Sequence, residues 1–298
     1  MKIIILLIMI LSINTEAQEI DLASISGARN AAMGDALISE SNDVSIMFLN
    51  PASLTFLKEQ TLFLNHAQLK KNLGMRENLA IPVIQLSKLI LSVGLESYHL
   101  GYLRENSAFP DEHIFEYGYS LSAATNAIDE KFSVGATIGY RKSTTDNSKA
   151  WASFYTLGIN YSPTADLNYG LVLGGLGEDI KYMRQDTMLT AHRINSMKRL
   201  SLGASMKYPS ASSLRKTVFV LALANEKIFG TNGLLYKIGL EVIPWKFLHF
   251  RSGYVFGPGV SEPRFGLGIN LDYLVFDYVF YAGPSPVMFQ QFSLSIKI

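Results

Sequence analysis

The chain has 298 residues, with 26 Lys+Arg against 25 Asp+Glu, no cysteine, 48% hydrophobic residues and 17% charged ones. A soluble domain carries roughly a quarter charged residues, so this composition argues against an ordinary soluble globule. The near-neutral balance lacks the basic footprint of a nucleic-acid binder, and the missing cysteines exclude disulfides, thiolate metal sites and cysteine nucleophiles.

The amino terminus reads as an export signal. Met1-Lys2 is a short basic start, Ile3 to Leu11 is an unbroken apolar run, and Thr15-Glu16-Ala17 offers a small-x-small cleavage site before Gln18, the pattern of a secretory signal peptide. The run is too short for a helical span, which needs about twenty apolar residues. Residues 1–17 are therefore expected to be removed on export. No cysteine follows the site to take a lipid anchor. Residues 18–59 come next, and they show no clean period of either kind.

From residue 60 the apolar residues alternate. Phe132, Val134, Ala136, Ile138 and Tyr140 fall on one face, with Ser133, Gly135, Thr137, Gly139 and Arg141 on the other, and period two is a strand signal. Leu200, Leu202, Ala204, Met206 and Tyr208 oppose Ser201, Gly203, Ser205 and Lys207; Phe292, Leu294 and Ile296 oppose Gln291, Ser293, Ser295 and Lys297. Strands are expected at 60–67, 75–82, 88–99, 113–125, 131–142, 151–162 and 167–175. The second half adds 199–208, 215–225, 234–243, 246–256, 264–271, 273–281 and 289–298. Their length, and the Tyr or Phe at the ends of many apolar faces, fit membrane-crossing strands of about nine to eleven residues with aromatic girdles. The strands of a soluble β-sandwich usually run to only about five or six residues.

The connections support the same reading. Tight ones at Asn126–Glu130, Pro163–Asp166, Pro244-Trp245 and Asp272 largely alternate with longer polar ones at Gly101–Glu112, Ser143–Ala150, Gly177–Lys198 and Glu226–Gly233. Bacterial outer-membrane barrels segregate short periplasmic turns from long extracellular loops in this way. The expected fold is an all-β, transmembrane antiparallel β-barrel of about fourteen strands, residues 60–298. Its wall encloses more volume than its small inward residues fill, so residues 18–59 are expected to form a plug in the lumen, with Pro51 stopping any helix there.

Within residues 18–59, Gly27, Ala28, Arg29, Met33 and Gly34, then Asp43, then Asn50-Pro51-Ala52 and Leu54 resemble the amino-terminal signature of the PorV/PorQ-type outer-membrane proteins, relatives of the FadL fatty-acid transporters. Ile238-Gly239-Leu240-Glu241, Phe250-Arg251-Ser252-Gly253-Tyr254, Phe265-Gly266-Leu267-Gly268 and Phe276-Asp277-Tyr278 resemble that family's later motifs, in order. Asp35 stands where the family has its second glycine, Ser53 replaces the glycine after Asn-Pro-Ala, Val242 replaces a tyrosine, and the chain ends in Ile298 rather than an aromatic residue. The resemblance implies a fourteen-stranded barrel in the outer membrane of a Gram-negative bacterium, with the amino-terminal segment folded into the lumen.

Alternation turns Lys207, Lys237, Glu241, Arg251, Arg264, Asp277 and Lys297 inward. Glu241, Arg251 and Asp277 form a candidate luminal cluster that either grips the plug or neutralises a polar interior. The five histidines are scattered, and the chain shows neither a nucleophile elbow nor a P-loop, so neither catalysis nor a metal or other cofactor is expected. Outer-membrane lipid is the expected surroundings, and two functions are open. Similarity to PorV and PorQ implies an accessory barrel of type IX protein secretion, with secretion components or cargo sorting domains as partners. Similarity at the FadL level implies passage of a hydrophobic ligand. The modest outer loops lean toward the first.

Overall fold

The structure is a computed structural model describing residues 27–40, 43–70, 75–102, 113–127, 129–144, 148–177, 180–181, 183–184, 193–194, 198–209, 217–282 and 288–298. The expected signal peptide, the first part of the expected plug and most of the connection between 177 and 198 lie outside the described residues. Among the described residues, fourteen long strands form one antiparallel sheet. They are β1 Thr61–Lys70, β2 Met75–Leu86, β3 Leu89–Tyr102, β4 His113–Asn126, β5 Phe132–Thr144, β6 Ser148–Thr164 and β7 Leu167–Gly177. The second half holds β8 Arg199–Tyr208, β9 Val218–Ile228, β10 Leu235–Trp245, β11 Leu248–Gly257, β12 Val260–Leu271, β13 Leu274–Ala282 and β14 Met288–Lys297. Each pairs with its neighbours in the chain, and β14 returns to β1 through the register Thr61↔Lys297 to Gln68↔Gln290, which closes the barrel.

All fourteen expected strands are present, displaced by a few residues at their ends. The largest departures are β2, which ends at Leu86 rather than 82, and β12, which begins at Val260 rather than 264. Gly174-Gly175-Leu176-Gly177 forms the last part of β7. There the β6–β7 register shifts between Tyr155 and Leu157, and Gly175 takes φ +64 to accommodate the bulge.

Burial is inverted relative to a soluble sheet. On β5, Ser133, Thr137, Gly139 and Ser143 are buried, while Ala136, Ile138 and Tyr140 are exposed. The apolar face points outward around the wall, with Leu157, Leu202, Leu221, Leu240, Phe265 and Phe292 all exposed. Only a hydrocarbon surrounding makes that arrangement favourable. Turns at Ser87–Lys88, Ala165–Asp166, Lys246–Phe247 and Asp272–Tyr273 lie at the end of the barrel where β1 begins and β14 finishes. The longest connections, spanning 103–112 and 178–198, lie at the other end.

Residues 27–40 and 43–57 pack against the inner face of the barrel wall. Helix α1 (Ala28–Ala32) packs against β11 to β14, the 3-10 turn Leu37–Ser39 against β7 to β9, the turn Val44–Phe48 against β1 and β2, and the turn Pro51–Phe56 against β3 to β6. The inner wall admits this segment because it is lined with glycine. A Cβ on Gly135 would stand 2.5 Å from the Ala52 amide nitrogen, one on Gly239 2.5 Å from the Met33 carbonyl oxygen, and one on Gly253 would overlap the Gly34 amide. Backbone therefore docks on backbone.

Ile138 stands at the middle of β5 on the lipid face, 52% exposed. Ile138→Arg should destabilise the barrel by about 2–4 kcal/mol in equilibrium unfolding from lipid vesicles. An unchanged midpoint would place this face away from hydrocarbon.

Candidate functional site

The plug is held by short, specific contacts that begin at the residues of the amino-terminal motif. Gly27 precedes α1 in extended conformation, and a Cβ there would meet Phe63 and Ser45 at 2.6 Å. The Ala28 amide donates to Ser293 Oγ on β14 at 2.7 Å. Met33 is fully buried against Gly239. Gly34 turns with φ +66, and Asp35 follows in the same left-handed region at φ +56. That backbone explains a glycine preference at position 35, and aspartate is among the few other residues that tolerate it.

Asp43 caps the Val44–Phe48 turn, accepting from the Ser45 amide at 2.9 Å and from Ser45 Oγ at 2.6 Å. Burial pushes its carboxyl above the usual carboxylate range, against the opposing pulls of Arg29 and Ser45. Asn50 caps the next turn by accepting from the Ala52 amide at 3.1 Å, and donates to the Ile38 carbonyl at 2.8 Å. Its amide also meets that of Asn160 on β6 at 2.7 Å. The Val44–Phe48 turn ends before Pro51, and Pro51 opens the Pro51–Phe56 turn, where a missing N–H costs nothing and φ is already suitable. Ser53, the departure from glycine, places its hydroxyl 2.8 Å from the Asn160 amide.

Charges complete the docking. Glu241 on β10 is 1% exposed and accepts from Arg29 of the plug at 2.8 Å and from Arg251 Nε on β11 at 2.6 Å. Arg251 Nη1 reaches Asp277 on β13 at 2.6 Å, and His249 Nδ1 lies 3.2 Å from Glu241. The sequence treats the plug motif and the luminal cluster as separate features, and Arg29–Glu241 is where they meet. Two further bridges link plug to wall: Arg264 on β12 to Asp35 at 2.5 Å, and Lys207 on β8 to Glu40 at 2.8 Å. Arg264 and Lys207 are legible as inward charges, but their partners sit in a segment without periodicity. Opposite these bridges the contact is apolar, with Phe63, Leu79, Ile81 and Val83 of β1 and β2 packed on Val44, Met47, Phe48 and Leu54.

A second charged group went unread in the sequence. Glu77, Glu96 and Glu116 stand inward on β2, β3 and β4, all buried, beside Tyr98 and Arg141. The signal was present in the alternation of β2, where Glu77 precedes inward Leu79, Ile81 and Val83. Among the described residues no group of three His, Asp or Glu is placed to hold a metal ion.

No family model and no curated protein matches the sequence. Solved structures do. The Pseudomonas putida toluene transporter TodX aligns at TM-score 0.65 and 12% identity over 93% of this chain and 99% of that one. The fold is that of the FadL-type outer-membrane barrels. A Pseudomonas aeruginosa FadL homologue aligns at TM-score 0.58 and 13% identity over 91% of this chain and 97% of that one. The monoaromatic hydrocarbon channel CymD gives 0.63 and 16% over 92% and 97%. Identities this low establish the FadL-type fold alone. None of these three is a PorV or PorQ protein, and the narrower resemblance stays with the sequence motifs.

Glu241→Leu removes the acceptor shared by two buried guanidinium groups, and breaking such a buried pair costs about 3–5 kcal/mol. A drop of that size in unfolding free energy is expected, with Arg29→Met giving a smaller one because Glu241 keeps Arg251. Equal stability of all three proteins would remove the bridge from the account.

Proposed function

We propose that the chain is an outer-membrane barrel through which a hydrophobic small molecule crosses, with the amino-terminal segment as its gate. The observation that carries this reading is the end-to-end match to barrels described as a toluene transporter and a monoaromatic hydrocarbon channel. The docking chemistry agrees with a gate. Ion pairs and hydrogen bonds to a glycine-lined wall are directional and break discretely, unlike a continuous hydrophobic core. In this reading the exposed apolar band meets outer-membrane lipid, and residues 1–17 direct export.

The type IX secretion reading rests on the motifs. Those residues fall on contacts between plug and wall: Asn50 on Asn160, Arg29 on Glu241, Met33 on Gly239. Any plugged barrel of this fold needs such contacts, so the motifs do not favour secretion over transport.

A locked plug tests the proposal. A Cβ on Gly203 would stand 3.0 Å from Ile38 Cβ, near the separation of about 3.5–4.5 Å that a disulfide requires. The chain has no cysteine of its own, so Ile38→Cys with Gly203→Cys introduces a single possible bridge. Proteoliposomes carrying the oxidised double variant should fail to take up toluene and recover on reduction. Uptake that ignores the lock would exclude the plug as gate, and absence of uptake by the unmodified protein would exclude transport.

A further inference from the structure

The lipid face of the wall is not uniform. On β8 the outward run Leu200, Leu202, Ala204, Met206 and Tyr208 has one small member, Ala204, whose register partners are the large, exposed Tyr169 on β7 and Leu223 on β9. That bare position lies in a groove of about 570 Å³ on the outer side of the barrel, bordered by Leu171, Leu202, Leu223, Tyr236 and Ile238. The groove reaches from Tyr161 on β6 to Phe256 on β11, and neighbouring strands about 4.8 Å apart make that about 24 Å of wall. Its shape suits an extended chain rather than a compact ligand.

Polarity is graded along its middle strand. From the end of the barrel with the long connections, the outward side of β9 presents Lys227, then Asn225, then Leu223. Lys227 Nζ donates to the carbonyl oxygens of Thr231 at 2.7 Å and Gly233 at 3.0 Å. These bonds fix the ammonium at the rim, and an ammonium has a third N–H to offer. Lys198 stands beside it, exposed, its carbonyl accepting from the Phe229 amide at 2.8 Å in the register that sets Leu200 opposite Lys227. Glu226 and Glu241, the carboxylates of β7 to β10, are both buried on the luminal side, so neither opposes these cations. Asn225 is half-buried and borders the groove, and an amide on a hydrocarbon-facing surface is costly unless it is partnered.

We propose that the outer face of β7 to β10 binds a phosphate-bearing acyl lipid of the outer leaflet, with its phosphate on Lys198 and Lys227, its ester or amide linkages at Asn225 and a chain in the groove over Ala204. Cation, amide and apolar groove follow one another in the order that headgroup, linkage and chain take with depth in a leaflet. Lipid tails are as apolar as leucine, so the groove supplies fit rather than transfer energy, and preference for one lipid comes from the basic rim. This inference rests on the barrel's place in the outer membrane and stands whether or not the lumen passes hydrocarbons.

Native mass spectrometry of the full barrel in detergent, titrated with lipid A, should show a saturable adduct. Lys198→Gln with Lys227→Gln should weaken it by at least about tenfold, and Lys198→Gln alone, which leaves the Lys227 contacts to the 229–234 turn in place, by about fivefold. Ala204→Trp fills the groove and should weaken the adduct, whereas Ala136→Trp, also exposed on the lipid face but on β5, should leave it unchanged. Lipid A stripped of phosphate should bind the unmodified protein no more tightly than lipid A binds the double variant, and inorganic phosphate should not displace it. If the double variant fails to fold by heat-modifiability, Lys198→Gln and the dephosphorylated lipid decide. No saturable adduct, equal binding of the dephosphorylated lipid, equal binding by the Ala204 and Ala136 variants, or displacement by inorganic phosphate would overturn the proposal.

Discussion

In a bilayer no water is available to satisfy a backbone amide, and every other feature of this molecule follows from that constraint. A sheet with free edges is forbidden in hydrocarbon, so the strands must close. Here β14 returns to β1 over eight consecutive registered pairs, and the short turns keep neighbours adjacent. Closure at fourteen strands creates a lumen that the inward Ser, Thr and Gly side chains are too small to fill. The amino-terminal segment fills it.

Small inward residues both create that lumen and allow it to be occupied. They leave the bare backbone of β5, β10 and β11 close enough for residues 32–34 and 51–52 to dock directly on it. Position along the wall is then set by a few polar contacts: Arg29 on Glu241, Asp35 on Arg264, Glu40 on Lys207 and Asn50 on Asn160. Buried ion pairs add little net stability compared with well-packed apolar groups, but separating the partners is costly. They therefore select one placement of the plug, while the apolar contact of Val44, Met47, Phe48 and Leu54 with β1 and β2 supplies bulk burial.

The barrel was legible because its lipid face is written in a period of two, as in Phe132 to Tyr140, and because connection length follows strand parity. The plug was legible as an aperiodic segment that a wide lumen would need. Its docking was not. Arg29 and Glu241 are 212 residues apart, and no local pattern links a residue of an irregular segment to a wall position across that separation. Pro51 was legible as a stop for the Val44–Phe48 turn but not as the start of the next: the same missing N–H that ends a helix also suits its first position, where Asn50 caps it. Glu77, Glu96 and Glu116 were passed over because each is the lone acidic residue in its strand, and only the β2–β3–β4 ladder brings them together.

Docked on the wall in this way, residues 27–40 and 43–57 should shut the lumen to ions. Single-channel recording of the unmodified protein in planar bilayers reads this closure. A silent barrel with at most brief, small openings is expected. A steady conductance of the size carried by open general porins would contradict it.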